Sequence, residues 1–264
     1  MSQEPLKEAL VLWLQKCYQQ LQQAPLKVRI PLCIGEEQIG SIELGIAQEL
    51  VEAGLLSQYP YGLSISEIHA QQKLEEVSKW LEAHQLSATR TGEMLPVNDV
   101  NGNTLAGIER AAVRTLGITT HPVYLIGRHE HGSLWLQRRA LTKKTGAGKL
   151  DILVGGLVSI NETHEQALKR EAWEEAGIDL GNDTLVLGGT TYICRPVDSE
   201  YGGYMVEMGH WYEKVLPSTF EPVNQDGEVQ EFLLCTEEEI KGYMLMDALA
   251  PESAWVLARY FGWQ

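Results

Sequence analysis

The stretch GLVSINETHEQALKREAWEEAGI, running from Gly156 to Ile178, sets Gly156, Glu162, Arg170, Glu171, Glu174, Glu175, Gly177 and Ile178 at fixed intervals. A helix is read from Glu162 to Ala176, ended by Gly177 because a residue without a Cβ takes the left-handed cap freely. Positions 171, 174 and 175 stand as i, i+3 and i+4, so three carboxylates project from one helical face. Like charges packed this closely repel unless a cation is bound between them. Magnesium is the expected guest, with manganese as a substitute, since it takes oxygen ligands and is held by a few carboxylates together with substrate phosphates. A small-molecule phosphate substrate follows. Arg170 can pair with Glu162 or Glu171 and fix their rotamers, while Ala167, Leu168 and Ala172 offer apolar surface for packing on a sheet. The competing reading is an exposed acidic helix. It suffices for EAWEEAG alone and fails on the whole pattern.

Outward from this stretch, short strands are read at Val123 to Gly127 and Ser133 to Arg138 around the turn Glu130-His131-Gly132, then at Leu185 to Cys194, Tyr204 to Val215 and Val229 to Cys235. Helices are read at Glu237 to Tyr243 and Pro251 to Phe261. Strands flanking one long helix predict an α/β sandwich over residues 119–264. Before Gly117 the pattern is different. Leu6, Leu10, Leu14, Cys17 and Leu21 form the apolar stripe of a helix over Gln3 to Gln23, expected to pack onto its own domain. Helices are also read at Ser41 to Ala53, Ser64 to His84 and Leu105 to Leu116, with a short strand at Val28 to Ile34. Residues 1–118 are therefore expected to form a separate, helix-rich α+β unit.

Composition narrows the function classes. A formal net charge of -15 argues against a nucleic-acid backbone as the main partner, which would call for a surface rich in Lys and Arg. No apolar run approaches a membrane span, and Met1 to Pro5 shows no basic leader. Cys17, Cys33, Cys194 and Cys235 stand far apart, without zinc-ligand spacing or a disulfide framework. A cytoplasmic protein is expected.

At every fixed position, with Ala172 at the first aliphatic site, the opening stretch resembles the Nudix box, GX5EX7REUXEEXGU. The resemblance implies a Nudix α/β/α sandwich with a mixed sheet. It also implies Glu171, Glu174 and Glu175 as metal ligands, the carbonyl of Gly155 as a further one, and an acid from a later loop. Glu228 is chosen for that acid from Asn224-Gln225-Asp226-Gly227-Glu228-Val229, ahead of Asp226 and Glu221, because it leads into the strand that starts at Val229. Glu175 or Glu171 is expected to be the base, with Glu228 a further candidate and Arg170 a support. Leu105 to Ile118, Gly148 to Asp151, and Leu216-Pro217 through Val229 resemble the branch related to fungal thiamine pyrophosphokinase fusions. That branch implies hydrolysis of thiamine diphosphate and its oxidised analogues to monophosphates. Two departures stand out: no Gly precedes Glu162, where Asn161 stands, and Val154 replaces a common Ala.

Weaker signals are set beside these. KKTGAGK, Lys143 to Lys149, fails the Walker A spacing, with Lys143 where Gly is needed and Leu150 where Ser or Thr is needed. Arg138, Arg139, Lys143, Lys144 and Lys149 stay as candidate phosphate contacts. His129-Glu130-His131 reads as a solvated turn, and Trp135, Tyr192, Tyr204 and Trp211 as core residues before stacking platforms. An ADP-ribose-like nucleoside diphosphate substrate, an isomerase of related fold and a non-catalytic ligand sensor are the alternatives. The unbroken carboxylate cluster speaks against the sensor. For residues 1–118 two roles stay open, shaping the substrate pocket or forming a homodimer interface.

Overall fold

The computed structural model describes residues 3–143, 145–181 and 183–263; Lys144 and the side chain of Leu6, both named above, lie outside the described residues. The chain opens with α1 (Gln3–Leu21), β1 (Arg29–Ile34), β2 (Glu37–Glu43), α2 (Leu44–Glu52), β3 (Ser57–Tyr59), β4 (Gly62–Ile65), α3 (Ala70–Ala83), β5 (Met94–Asn98), β6 (Thr104–Glu109) and α4 (Arg110–Leu116). It continues through β7 (Thr119–Thr120), β8 (Pro122–His129), β9 (Leu134–Arg139), β10 (Leu150–Ile152), β11 (Val154–Leu157) and α5 (His164–Ala176). The last elements are β12 (Leu187–Pro196), β13 (Tyr204–Leu216), β14 (Val229–Cys235), α6 (Glu237–Leu245) and α7 (Pro251–Phe261).

Three of the helices read in the first half begin as strands. Arg29 to Pro31 pair with Glu43 to Ser41, Ser64 and Ile65 run parallel to Cys33 and Ile34, and Thr104 to Glu109 pair with Met94 to Asn98. Apolar periodicity over so few residues does not separate strand from helix, and the available pairing partner decides. The result is a four-stranded sheet in the order β2-β1-β4-β3 and a β5-β6 hairpin, closed by α2, α3 and α4 around Leu32, Ile42, Leu50, Leu74, Leu81 and Ile108.

The larger sheet is ordered β10-β9-β8-β13-β12, with β11 on β8, β14 on β9 and β7 on β13. It is mixed, because β13 runs parallel to β7 and β8 while the other pairs are antiparallel. Side chains alternate across β8. Val123 and Leu125 join Ala167, Leu168, Ala172 and Ala176 of α5, whereas Tyr124 and Ile126 join Leu10 and Leu14 of α1, Ile240 and Met244 of α6, and Leu257 of α7. This is the three-layer α/β/α sandwich with a mixed sheet, with the site helix on the face opposite α1, α6 and α7.

The placement of α1 corrects an expectation. Its stripe does not pack within the 1–118 unit: Leu10 and Leu14 lie in the core beneath α6 and α7, and Cys17 and Leu21 pack on Ile193 of β12. An apolar sheet face must be buried, and α1 supplies part of that cover.

Candidate active site

The start of α5 is fixed locally. Thr163 accepts from the Gln166 N–H at 3.2 Å and donates its own N–H to the Gln166 side chain at 2.8 Å, a reciprocal cap that starts the helix at His164. Glu162 is therefore in the preceding loop, not on the helix as read from the sequence. From there it accepts the Ser159 N–H at 3.1 Å and faces Arg170. The guanidinium grips Glu162 with a fork, Nε to Oε1 at 2.6 Å and Nη2 to Oε2 at 2.8 Å. Nη1 reaches Glu171 at 2.6 Å and Glu174 at 3.2 Å, and Nη2 also donates to the Leu157 carbonyl at 3.3 Å. The hydrogen bonds that Arg170 donates hold the Glu162 carboxyl below its usual range, and the same bonds raise the Arg170 pKa.

Two glycines of β11 bring the sheet against this helix. A Cβ on Gly156 would stand 1.9 Å from Oε1 of Glu171, so the carboxyl occupies the space that only glycine leaves open. The N–H of Gly155 donates to Glu175 at 2.8 Å, and Gln137 of β9 donates to the same oxygen at 3.1 Å. Gly155, whose carbonyl the resemblance puts forward as a ligand, also lends its N–H to the site. Glu175 is 2% exposed. Burial pushes its pKa well above the ordinary carboxylate value and raises that of Glu171 as well, with further upward pressure on Glu171 from Glu174 and Glu228.

The later loop is laced to the far end of the same helix. After the left-handed cap at Gly177, the Val223 N–H donates to the Ala176 carbonyl at 3.0 Å and the Gln225 N–H to the Glu174 carbonyl at 2.9 Å. Asn224 accepts from the N–H groups of Asp226 and Gly227 and donates to the Val229 carbonyl, while Asp226 accepts the Glu228 N–H at 2.8 Å. Asp226 therefore builds the turn. Glu228 is delivered toward Glu171, its backbone carbonyl held by the Ala140 N–H and its carboxylate paired with Lys143.

The basic candidates are engaged by acids of the same region: Arg138 with Glu231, Arg139 with Asp151 at 2.6 Å, Lys143 with Glu228, and Lys149 with Asp247 at 3.0 Å. His129, Glu130 and His131 form the β8-β9 turn, where Glu130 accepts the Ser218 N–H. Of the aromatics, Trp135 packs with the α5 core, and the Tyr204 hydroxyl donates to the Gln23 carbonyl. Trp211 lies across Gly188 and Gly189 beside a cleft of about 350 Å³, and Tyr192 is about half exposed.

The donors of Glu171, Glu174, Glu175 and Glu228 are all carboxylate oxygens, and after burial the nearby Glu174 and Glu228 add to the rise at Glu171, as Glu171 does at Glu175. That set suits a hard divalent ion, which would relieve the repulsion. Arg170 already bridges two of them in the manner of a cation. Among the described residues, the group whose ligand atoms all lie within 4.8 Å of one another is a different one, His121, His164 and His210. Sequence reading passed over it because the three residues share no spacing motif and meet only through the strand register.

The chain is similar to known proteins of one family. A family model described as the NUDIX domain matches residues 120–260. The chain is 30% identical over 219 residues to "Nudix hydrolase 24, chloroplastic" of Arabidopsis thaliana, covering 78% of this chain and 59% of that protein. It is 32% identical over 148 residues to "Nudix hydrolase 20, chloroplastic" of the same plant, covering 54% of this chain and 38% of that protein. The chain thus spans about half the length of these curated relatives. Among solved structures, DR0079 from Deinococcus radiodurans aligns with a TM-score of 0.49 at 22% identity, over 64% of this chain and 99% of that one.

Proposed function

The chain belongs to the NUDIX family, and on that premise we propose that it is a divalent-metal-dependent hydrolase that cleaves a diphosphate linkage in a small molecule. One observation carries the reading: the carboxyl of Glu171 fills the space over Gly156 while Glu175 takes the N–H of Gly155, so strand and helix present their acids as one rigid rim. A bound magnesium ion would make its coordinated water more acidic and neutralise charge on phosphate oxygens. Glu171, Glu174, Glu175 and Glu228 are the residues proposed to hold it. Arg170 holds Glu162 and Glu171 in place. Proton removal from the attacking water falls to Glu175, which is buried, or to Glu171, which is partly buried.

Thiamine diphosphate and its oxidised analogues are the finer proposal. What supports it is the resemblance of Leu105 to Ile118, Gly148 to Asp151 and Leu216 to Val229 to one branch of the family. The test is monophosphate release with magnesium from thiamine diphosphate, oxythiamine diphosphate, ADP-ribose and deoxynucleoside triphosphates, for the wild type and for Glu174→Gln and Glu175→Gln. Turnover of the thiamine compounds, lost in both variants, is expected. Preference for ADP-ribose would discard the finer substrate and keep the chemistry, and metal-independent turnover would sink both.

A further inference from the structure

His121, His164 and His210 come from three separate elements. His121 leads into β8, His164 is the first residue of α5, and His210 lies on β13. Register brings them together: His210 stands opposite Val123, two residues beyond His121, and the carbonyl of His121 accepts the Val158 N–H in the loop that leads to α5. The ring centroids of His164 and His210 are 4.1 Å apart, and His121 is 5.9 and 6.0 Å from the two. One ligand nitrogen of each lies within 4.8 Å of one from each of the others.

Hydrogen bonding leaves this cluster incomplete. His210 is 9% exposed, and its Nε2, like Nδ1 of His121, is buried without a hydrogen-bond partner among the described residues. Buried polar atoms are almost always satisfied, so two orphaned nitrogens in one cluster ask for a partner. Burial lowers the pKa of all three rings, that of His210 to about 4. They are therefore neutral near pH 7, the form that offers a lone pair to a metal.

We propose that His121, His164 and His210 form a second metal site, one for a borderline divalent transition ion of the zinc class. Imidazole nitrogen suits such ions, and no carboxylate belongs to the group, so a hard ion such as magnesium has no reason to prefer it. Three histidines with a fourth position open to water is an established zinc arrangement. Zn–N bonds of about 2.0–2.1 Å in tetrahedral geometry set neighbouring nitrogens roughly 3.4 Å apart, so small side-chain rotations close the present separation. At about 1.5 Å per helical residue, His164 lies about 10 Å along the axis from Glu171 and about 16 Å from Glu175, which keeps the site apart from the carboxylate rim. Asn98 of β5 has its amide 3.4 Å from His121, so an ion here would tie the amino-terminal hairpin, the first turn of α5 and β13 together.

The experiment uses the full chain in the Glu171→Gln/Glu174→Gln background, which disables the carboxylate rim, with magnesium in excess. Equilibrium dialysis against zinc should give one equivalent bound, falling to none in His164→Gln and, separately, in His121→Gln. Cobalt in the same protein should show the strong visible absorption of a tetrahedral, nitrogen-ligated ion, which carboxylates and water in octahedral geometry do not give. Circular dichroism selects the folded variants, and the wild-type chain should gain thermal stability with zinc. No bound zinc, or zinc retained in both histidine variants, overturns the site; loss of hydrolysis in the rim variants has no bearing on it.

Discussion

At Glu175, function and stability pull in opposite directions. Its carboxyl is buried and its pKa is raised, so the folded chain holds that proton more tightly than the unfolded chain does. Stability from this group is then fully present below the unfolded value, about 4.3, and is lost as pH rises toward the folded one. Glu175→Gln removes the ionisation while keeping an atom to accept the Gly155 N–H. Hydrolysis should fall by roughly 10²–10⁴-fold, the worth of a positioned proton acceptor. The metal-free variant should nonetheless be more stable than wild type at pH 7, with a flatter dependence on pH. Urea unfolding with a chelator at several pH values checks this, and equal stability at pH 7 would refute the burial argument. Gly156→Ala tests the neighbouring contact. The new Cβ would meet the Glu171 carboxyl at 1.9 Å, so the acid must swing away from the rim. A displacement of about 1 Å costs on the order of 10² in rate, and kcat should drop by that much while the melting temperature changes little.

Among elements, α5 was the most legible because its signals are local. Its acidic face, apolar face and Gly177 cap are all set by spacings within two turns, and β14 and α7 begin and end where their patterns do. The start of α5 was misread only because Glu162 continues the helical pattern, whereas the Thr163–Gln166 cap cuts it. Ser41 to Glu43, Ser64 to Ile65 and Leu105 to Glu109 read as helix because the strands they pair with are distant from any pattern inside the window. Long-range register also hid the histidine trio and the place of α1. The cap itself is testable. Thr163→Ala should cost about 1 kcal/mol in chemical denaturation, since it frees one N–H at the helix start. Arg170→Lys should be costlier to activity than to folding. A single ammonium cannot hold Glu162 with two bonds and reach Glu171 as well, so kcat/KM should fall roughly 10–100-fold, the usual effect of losing a group that orients metal ligands. An unchanged metal titration and rate would show that the fork positions nothing.

At the scale of the whole molecule, the amino-terminal unit reaches into the site from the sheet's edge. Leu157, the last residue of β11, packs against the amino-terminal core, and the Ile160 N–H donates to the Met94 carbonyl of β5 at 3.0 Å. Gly107 of β6 gives way to the Ile160 side chain, where a Cβ would come within 2.2 Å of Cδ1. The loop so held, Val158 to Asn161, runs directly into Glu162 and so into the grip of Arg170. Rotation of Ile160 could absorb one added methyl, but the two branches of Gly107→Val would press on the loop backbone. That substitution should lower kcat by about tenfold, in keeping with a sub-ångström shift of an oriented group, while β6 accepts the β-branched residue without unfolding. Ile160→Ala clears the same volume from the other side. Combined in one chain, the two changes should recover most of the lost rate, because they refill a single contact and their effects cannot add independently. Kinetics and thermal melts of both single variants and the double decide it: additive losses would mean that the hairpin merely neighbours the loop, and recovery would mean that the amino-terminal unit sets the geometry of the carboxylate rim.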